Sequence, residues 1–174
     1  MSEKVPGWLY HVTYYNRLAS IAETGLVSTA ARAIGQGAGY STHSAQGIFL
    51  SAADGVLFWY GRAQAWAEHN SDNWYEDGLL PVVLRLSKWK KSALREDPIG
   101  TRDAYADAYI YTAPIPPQRL EIWNGEAWEL LQHWDTLAPE NAFTPEIDEE
   151  SGDTIYWWNQ DEPFLPSREQ LEEG

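Results

Sequence analysis

The chain contains no cysteine, few basic residues and no long apolar run, and each absence excludes a class of protein. Without Cys among 174 residues there are no disulfides, thiolate metal ligands or cysteine nucleophiles. The four His are scattered without ligand spacing, so we expect no metal site. No stretch of 18 apolar residues and no apolar leader is present. We therefore expect a cytoplasmic protein that does not bind membranes.

Charge is distributed unevenly. The chain has 26 acidic and 12 basic residues, a net charge of -14, which argues against nucleic-acid contact because phosphates repel an acidic surface. However, residues 133–174 hold 12 of the acids and a single base, Arg168. We therefore expect a domain over 1–132 and an acidic, Trp-containing extension over 133–174. The extension is either a solvated solubility segment or, given its apolar side chains, a pseudo-substrate or docking segment.

The apolar content predicts one globular core with both helices and strands. Hydrophobic residues make up 44% of the chain, with 10 Trp and 10 Tyr, which rules out global disorder. Helices are predicted after the candidate caps Asn16 and Asp54, the first ending at Gly25. Strands are predicted at 7–13, 47–51, 79–87 and 107–112, and in a hairpin with a type I′ turn at Asn124-Gly125. The fold class is therefore α+β, with about five to seven strands.

From the residue pattern alone, the chemical signal is modest. His11 lies inside an apolar strand, where an imidazole is costly to bury without a partner, so it is either hydrogen-bonded in the core or facing a cleft. No Gly-x-Gly-x-x-Gly, Walker or Gly-x-Ser-x-Gly motif is present, which disfavours Rossmann, P-loop and hydrolase sites.

Three segments together resemble the ADP-ribosyltransferases of the His-Tyr-Glu type. They are LYHVTYYNRLASIAETGL (9–26), GIFLSAADGVLFWYG (47–61) and ADAYIYTAPIPPQRLEIW (106–123). The chain looks most like the DarT-like toxins and, more distantly, the poly-ADP-ribose polymerases. The resemblance covers about residues 8–123 and not the acidic extension. It implies an ADP-ribosyltransferase-like fold of split mixed β-sheets with a few flanking helices, and NAD as the substrate.

The resemblance also implies roles for individual residues around NAD. His11 matches the histidine that hydrogen-bonds the adenosine ribose, and the backbone of Val12 would hold the nicotinamide carboxamide. Phe49 stands where the family has its tyrosine, keeping the ring but losing the hydroxyl. Tyr60 matches an aromatic residue that stacks on nicotinamide. Core roles for His11 and Tyr60 remain the alternatives.

Other positions complete the expected NAD contacts. Arg32, before the Gly-rich loop 35–39, matches a region that folds over NAD, where a guanidinium can pair with the pyrophosphate. A solvated surface arginine is the alternative. Thr13 and Ser51, on the first two motif strands, are the remaining cofactor-binding candidates.

The last motif position departs from the family. Where the family has a glutamate that stabilises the oxocarbenium-like transition state, this chain has Ala108, which cannot do so. One explanation is deliberate inactivation of a toxic enzyme by substitution of the glutamate. A second is that Asp107 serves instead, although a one-residue shift in a strand points its side chain to the opposite face. A third is a degenerate relative that binds without catalysing.

The function implied is that of a toxin-like or effector-like transferase. It would cleave NAD and move ADP-ribose to a macromolecule, with nucleic acid slightly favoured over protein because the core without its extension is nearly neutral. An antitoxin or inhibitor protein would be a natural partner. The alternatives are a non-catalytic binding module on the same fold and an NAD-dependent RNA 2′-phosphotransferase, whose group lacks the late glutamate.

Overall fold

The computed structural model describes residues 7–27, 47–74, 76–139, 143–158 and 164–172. These residues form an α+β fold. The strands are β1 (Leu9–Tyr14), β2 (Ile48–Ser51), β3 (Pro81–Leu86), β4 (Leu94–Glu96), β5 (Ala108–Tyr111), β6 (Leu120–Trp123), β7 (Trp128–Leu130), β8 (Phe143–Ile147) and β9 (Thr154–Trp158). The helices are α1 (Leu18–Thr24), α2 (Val56–Asn70), α3 (Pro98–Ala104) and α4 (Arg168–Glu172).

Seven of the described strands form one sheet, in the order β4-β5-β2-β1-β3-β6-β7. Every pairing between these strands is antiparallel. The sheet therefore differs from the split, mixed arrangement that we expected. The physical reason is the α2 crossover, which joins β2 and β3: these strands run in the same direction, but β1 lies between them. No parallel pair forms within the described sheet.

The central strand β1 pairs very unequally with its two neighbours. All six of its residues have a partner in β3, whereas its pairing with β2 consists of Tyr10 opposite Ser51. Strands β1 and β2 therefore separate beyond that pair. Regular backbone pairing between the two strands therefore ends before His11.

The two faces of the sheet carry separate apolar clusters, because side chains alternate along each strand. One cluster packs α1 and the C-terminal Phe164 against β1, β2 and β3. The other packs α2 against Tyr10, Val12 and Tyr14 of β1 and includes Leu171 of α4. We call these the α1 face and the α2 face.

Several predicted element boundaries are confirmed, and two predicted caps are wrong. Gly25 ends α1 with a positive φ of 78°, and Pro81 begins β3. Asn16 does not cap α1, because a 3₁₀ turn precedes that helix and the Asn16 amide instead donates to the Asp77 carbonyl. Asp54 lies within a similar turn, so α2 begins only at Val56.

The predicted hairpin is present, but its turn is not type I′. Strands β6 and β7 pair as far as Trp123 and Trp128, which leaves a loop of four residues. The Asn124 side-chain oxygen accepts hydrogen bonds from the backbone N–H groups of Glu126 and Ala127. This side-chain turn replaces the positive φ that a type I′ turn requires at Asn, and only Gly125 has one, at 102°.

The described part of the acidic extension contains the end of a 3₁₀ segment, the strands β8 and β9, and the helix α4. Strands β8 and β9 form a separate two-stranded sheet, on which Trp157 is 56% exposed. The segment ending in α4 differs, because Phe164 and Leu171 are buried among residues of the main fold. Among the described helices, none has the length and apolarity needed to cross a membrane.

Candidate functional site

His11 lies where β1 and β2 separate, and its ring bridges the two strands. Its Nδ1 is 2.7 Å from the backbone oxygen of Phe49. A carbonyl oxygen can only accept, so Nδ1 carries the proton and donates. The side chain thus supplies the kind of hydrogen bond that paired strands make through their backbones. This contact fixes the orientation of the ring between the two strands.

The surroundings of His11 favour the neutral imidazole. Only 7% of the residue is exposed, and this burial lowers the pKa of His11, while the hydrogen bond to the Phe49 carbonyl partly opposes the shift. A neutral ring with a proton on Nδ1 has a lone pair on Nε2. His11 can therefore accept a hydrogen bond from a hydroxyl group at its Nε2 edge.

The α2 face of the same strands carries Val12, Phe49 and Ser51, and Tyr60 of the helix α2 packs against it. Tyr60 and Val12 belong to one buried cluster. Phe49 is half-buried, and its two neighbours in β2 belong to the α1 face, so its own side chain lies on the α2 face. Ser51 is buried, and its hydroxyl donates to the Ala52 carbonyl at 2.8 Å. A Cβ on Gly55 would collide with the Ser51 hydroxyl. A larger residue at position 55 would therefore require the Ser51 side chain to rotate away from the start of α2.

Ala108 lies opposite Ser51 in the pairing of β2 with β5. It is 3% exposed and helps to line a cavity of about 410 Å³ at the junction of β4, α3 and β5. Two carboxylates, Glu96 and Asp107, line the same cavity together with the guanidinium of Arg102. Residue 108 is therefore adjacent to open volume and to acidic side chains.

Asp97, which the sequence analysis missed, organises this cavity. Its side chain accepts a hydrogen bond of 3.0 Å from the backbone N–H of Gly100 and so caps α3. Its backbone N–H donates to the Ala108 carbonyl. The signal was available in the sequence, because Asp followed by Pro98 is a typical helix start.

The structure brings together some of the predicted site residues and separates others. Tyr10, Ser51 and Ala108 are consecutive partners across three strands, and His11 reaches the backbone of Phe49. The side chains of His11 and Thr13 alternate with that of Val12, so they point away from the α2 face that holds Tyr60.

The remaining expectations concern the Arg32 region and metal binding. Arg32 and loop 35–39 fall outside the described residues. Within the described ranges, no group of three or more His, Asp and Glu side chains could hold a metal ion.

Comparison of the whole chain with protein-family models, curated proteins and solved structures finds no match.

Proposed function

We propose that this chain is an ADP-ribosyltransferase-type protein that binds NAD where β1 and β2 separate. It transfers ADP-ribose from NAD to a macromolecular acceptor, nucleic acid more than protein. Turnover by this chain is weak, because Ala108 occupies the glutamate position. The observation that carries the proposal is the adjacency of β5, β2 and β1. These three strands bear the three motif positions, although they are far apart in the sequence.

The positions of His11 and Tyr60 suit a ligand with two halves. Their side chains belong to opposite faces of β1, so a single small ring cannot touch both. A dinucleotide is long enough to lie across the opening between the strands. Its adenosine ribose would donate a hydroxyl hydrogen bond to His11 Nε2, while its nicotinamide would pack near Val12 and Tyr60 on the α2 face.

Cleavage of the NAD glycosidic bond releases nicotinamide and leaves positive charge on the ribose. A carboxylate near that ribose stabilises the transition state by electrostatic attraction. Ala108 supplies no charge, and Asp107 is exposed at the rim of the cavity. The residues present therefore bind and orient NAD better than they accelerate its cleavage.

An exposed basic stretch supports a nucleic-acid acceptor. Lys88, Lys90, Lys91 and Arg95 are all exposed, next to and within the edge strand β4. These are four of the chain's 12 basic residues, and they lie within eight consecutive positions. Cations at this density attract phosphates even when the net charge of the chain is negative.

A non-catalytic binding function is the second candidate, and the packing of Ala108 favours it. A Cβ on Gly100 would lie 3.0 Å from the Ala108 methyl, so α3 approaches this position closely. The structure around residue 108 therefore fits a methyl group well. A binding module would retain the NAD contacts and lack turnover.

The experiment compares the chain that has Ala108 with the variant Ala108→Glu, using Ala127→Glu as a control that adds the same charge at an exposed loop position. Each protein is incubated with labelled NAD and separate pools of protein, DNA and RNA. We expect Ala108→Glu to release nicotinamide at least about 100-fold faster than the other two, the scale of one positioned catalytic group. The label should enter a nucleic-acid pool.

The alternative outcomes are distinct. NAD binding without turnover in any form selects the binding module. Release of 2′-phosphate from RNA selects the phosphotransferase. If no form binds NAD, the proposed function is wrong.

A further inference from the structure

The C-terminal segment 164–172, here called the latch, is anchored on the main fold by two buried apolar side chains. Phe164 is 1% exposed and lies in the cluster on the α1 face. Leu171 is 5% exposed and lies in the cluster on the α2 face. The latch is therefore docked on the fold, unlike the exposed β8–β9 hairpin that precedes it.

Three polar contacts fix the position of α4 on this surface. The Tyr10 hydroxyl donates to the Leu171 carbonyl. The indole N–H of Trp128 donates to the Gln170 carbonyl at 2.8 Å. Arg168, which is the single base among residues 133–174, forms an ion pair of 2.6 Å with Asp54. The contacts come from β1, β7 and the turn before α2.

The surface that receives the latch is already ordered by a stacked arginine. The Arg85 guanidinium carbon is 3.8 Å from the ring centroid of Trp8 and 4.2 Å from that of Trp128. The same guanidinium forms an ion pair of 2.7 Å with Glu121. Arg85 is buried, so the indole of Trp128 is held in place on the sheet. The donor that meets Gln170 is therefore preorganised.

The docking surface adjoins the α2 side of the proposed NAD site. Tyr10, which holds the last residues of the latch, is the partner of Ser51 across the opening strands. Asp54 lies three residues beyond Ser51. Leu171 shares its apolar cluster with Val12 and Tyr60, the residues that would meet nicotinamide. The latch thus occupies apolar surface that belongs to the same face.

We propose that the latch is a built-in inhibitor that competes with NAD for the α2 face of the site. This inference rests on the proposed function. A helix of five residues has too few internal hydrogen bonds to be stable alone, so it is ordered only while docked. Its release uncovers the part of the α2 face that Leu171 covers. The apparent NAD affinity is then the intrinsic affinity multiplied by the fraction of molecules in which the latch is released.

The test opens the latch with two variants of different severity. Leu171→Ala removes the buried anchor, and Arg168→Glu turns the ion pair with Asp54 into a repulsion. Glu169→Ala, at an exposed position on the same helix, is the matched control. Hydrogen exchange of the latch backbone measures opening without any ligand, and calorimetric titration measures NAD affinity.

We expect faster exchange in the latch and tighter NAD binding in both variants. The gain is at least about tenfold for Leu171→Ala, because a buried Leu side chain contributes strongly to docking. It is about threefold for Arg168→Glu, because exposed ion pairs are weak. The charge-swapped pair Asp54→Arg with Arg168→Glu should restore both slow exchange and the original affinity.

Two results overturn the inference in different ways. If the latch exchanges faster but NAD binds the natural chain and the variants equally well, the latch is structural and the NAD site stands. If NAD binds none of the proteins, the proposed function fails and the latch inference fails with it. If Leu171→Ala does not fold, the test rests on the exchange rates and NAD affinities of Arg168→Glu and of the double variant Asp54→Arg with Arg168→Glu.

Discussion

At the residue scale, His11 combines burial with a hydrogen-bonding role. Sequence reasoning left two alternatives for this residue, a core histidine with a partner and a histidine facing a cleft. The structure supplies the partner, the Phe49 carbonyl, and places the ring where the regular pairing of two strands ends. A buried ring with one nitrogen engaged retains one edge for a ligand, so the first alternative does not exclude the second.

The burial of His11 predicts a specific dependence of stability on pH. Its pKa is lowered in the folded state, whereas in the unfolded chain it is near 6.5. As the pH falls below about 6.5, the unfolded chain takes up a proton that the folded protein excludes. The free energy of unfolding should therefore fall, by at most about 1.4 kcal/mol per pH unit from this residue.

Urea unfolding at several pH values between about 7.5 and 5.5 measures this effect. His11→Asn is the comparison, because its side-chain amide nitrogen takes the place of Nδ1 and can donate to the Phe49 carbonyl but does not titrate. The slope of stability against pH should be smaller in His11→Asn. Equal slopes in the two proteins would show that His11 is not responsible.

At the element scale, α3 depends on a single cap. Asp97 is 2% exposed and accepts from the Gly100 N–H, and α3 in turn supports Ala108 through the Thr101 hydroxyl, which accepts from the Ala108 N–H at 3.0 Å. The cap, the helix and Ala108 are therefore linked. Loss of the cap should loosen the cavity beside Ala108.

Asp97→Ala should destabilise the protein by about 1–2 kcal/mol, the typical cost of a lost helix cap. Asp97→Asn, which keeps an acceptor oxygen for the Gly100 N–H, should recover most of that loss. The free energy of unfolding in urea measures both changes. A loss below about 0.3 kcal/mol for Asp97→Ala would contradict the capping role.

The elements also show where sequence reasoning succeeded and where it failed. Strands with clear apolar patterns, such as β2 and β5, lie within the predicted ranges, and Gly25 and Pro81 have the predicted places. The caps at Asn16 and Asp54 failed because a 3₁₀ turn can precede a helix without changing the composition of the segment. The type I′ turn failed because the Asn124 side chain can close a longer loop by itself.

At the scale of the whole molecule, sheet order could not be read from local patterns. The α+β class follows from the strands and helices themselves. The continuous antiparallel sheet depends on the position of β1 between β2 and β3, the two strands that α2 connects. The same long-range arrangement determines which residues lie together at the candidate site. It brings Ser51 beside Ala108, separates the side chains of His11 and Tyr60, and returns Leu171 to the α2 face. None of these relations appears in a single segment of sequence.

The central claim is that a dinucleotide binds at the opening between β1 and β2. Titration of protein carrying isotope-labelled histidine with NAD, followed by NMR of the imidazole nitrogens, tests it directly. We predict that the His11 Nε2 signal shifts and saturates as NAD is added, while the signals of the exposed His69 and His133 stay in place. A His11 signal that remains unchanged at millimolar NAD, in both the natural chain and Leu171→Ala, would contradict the account.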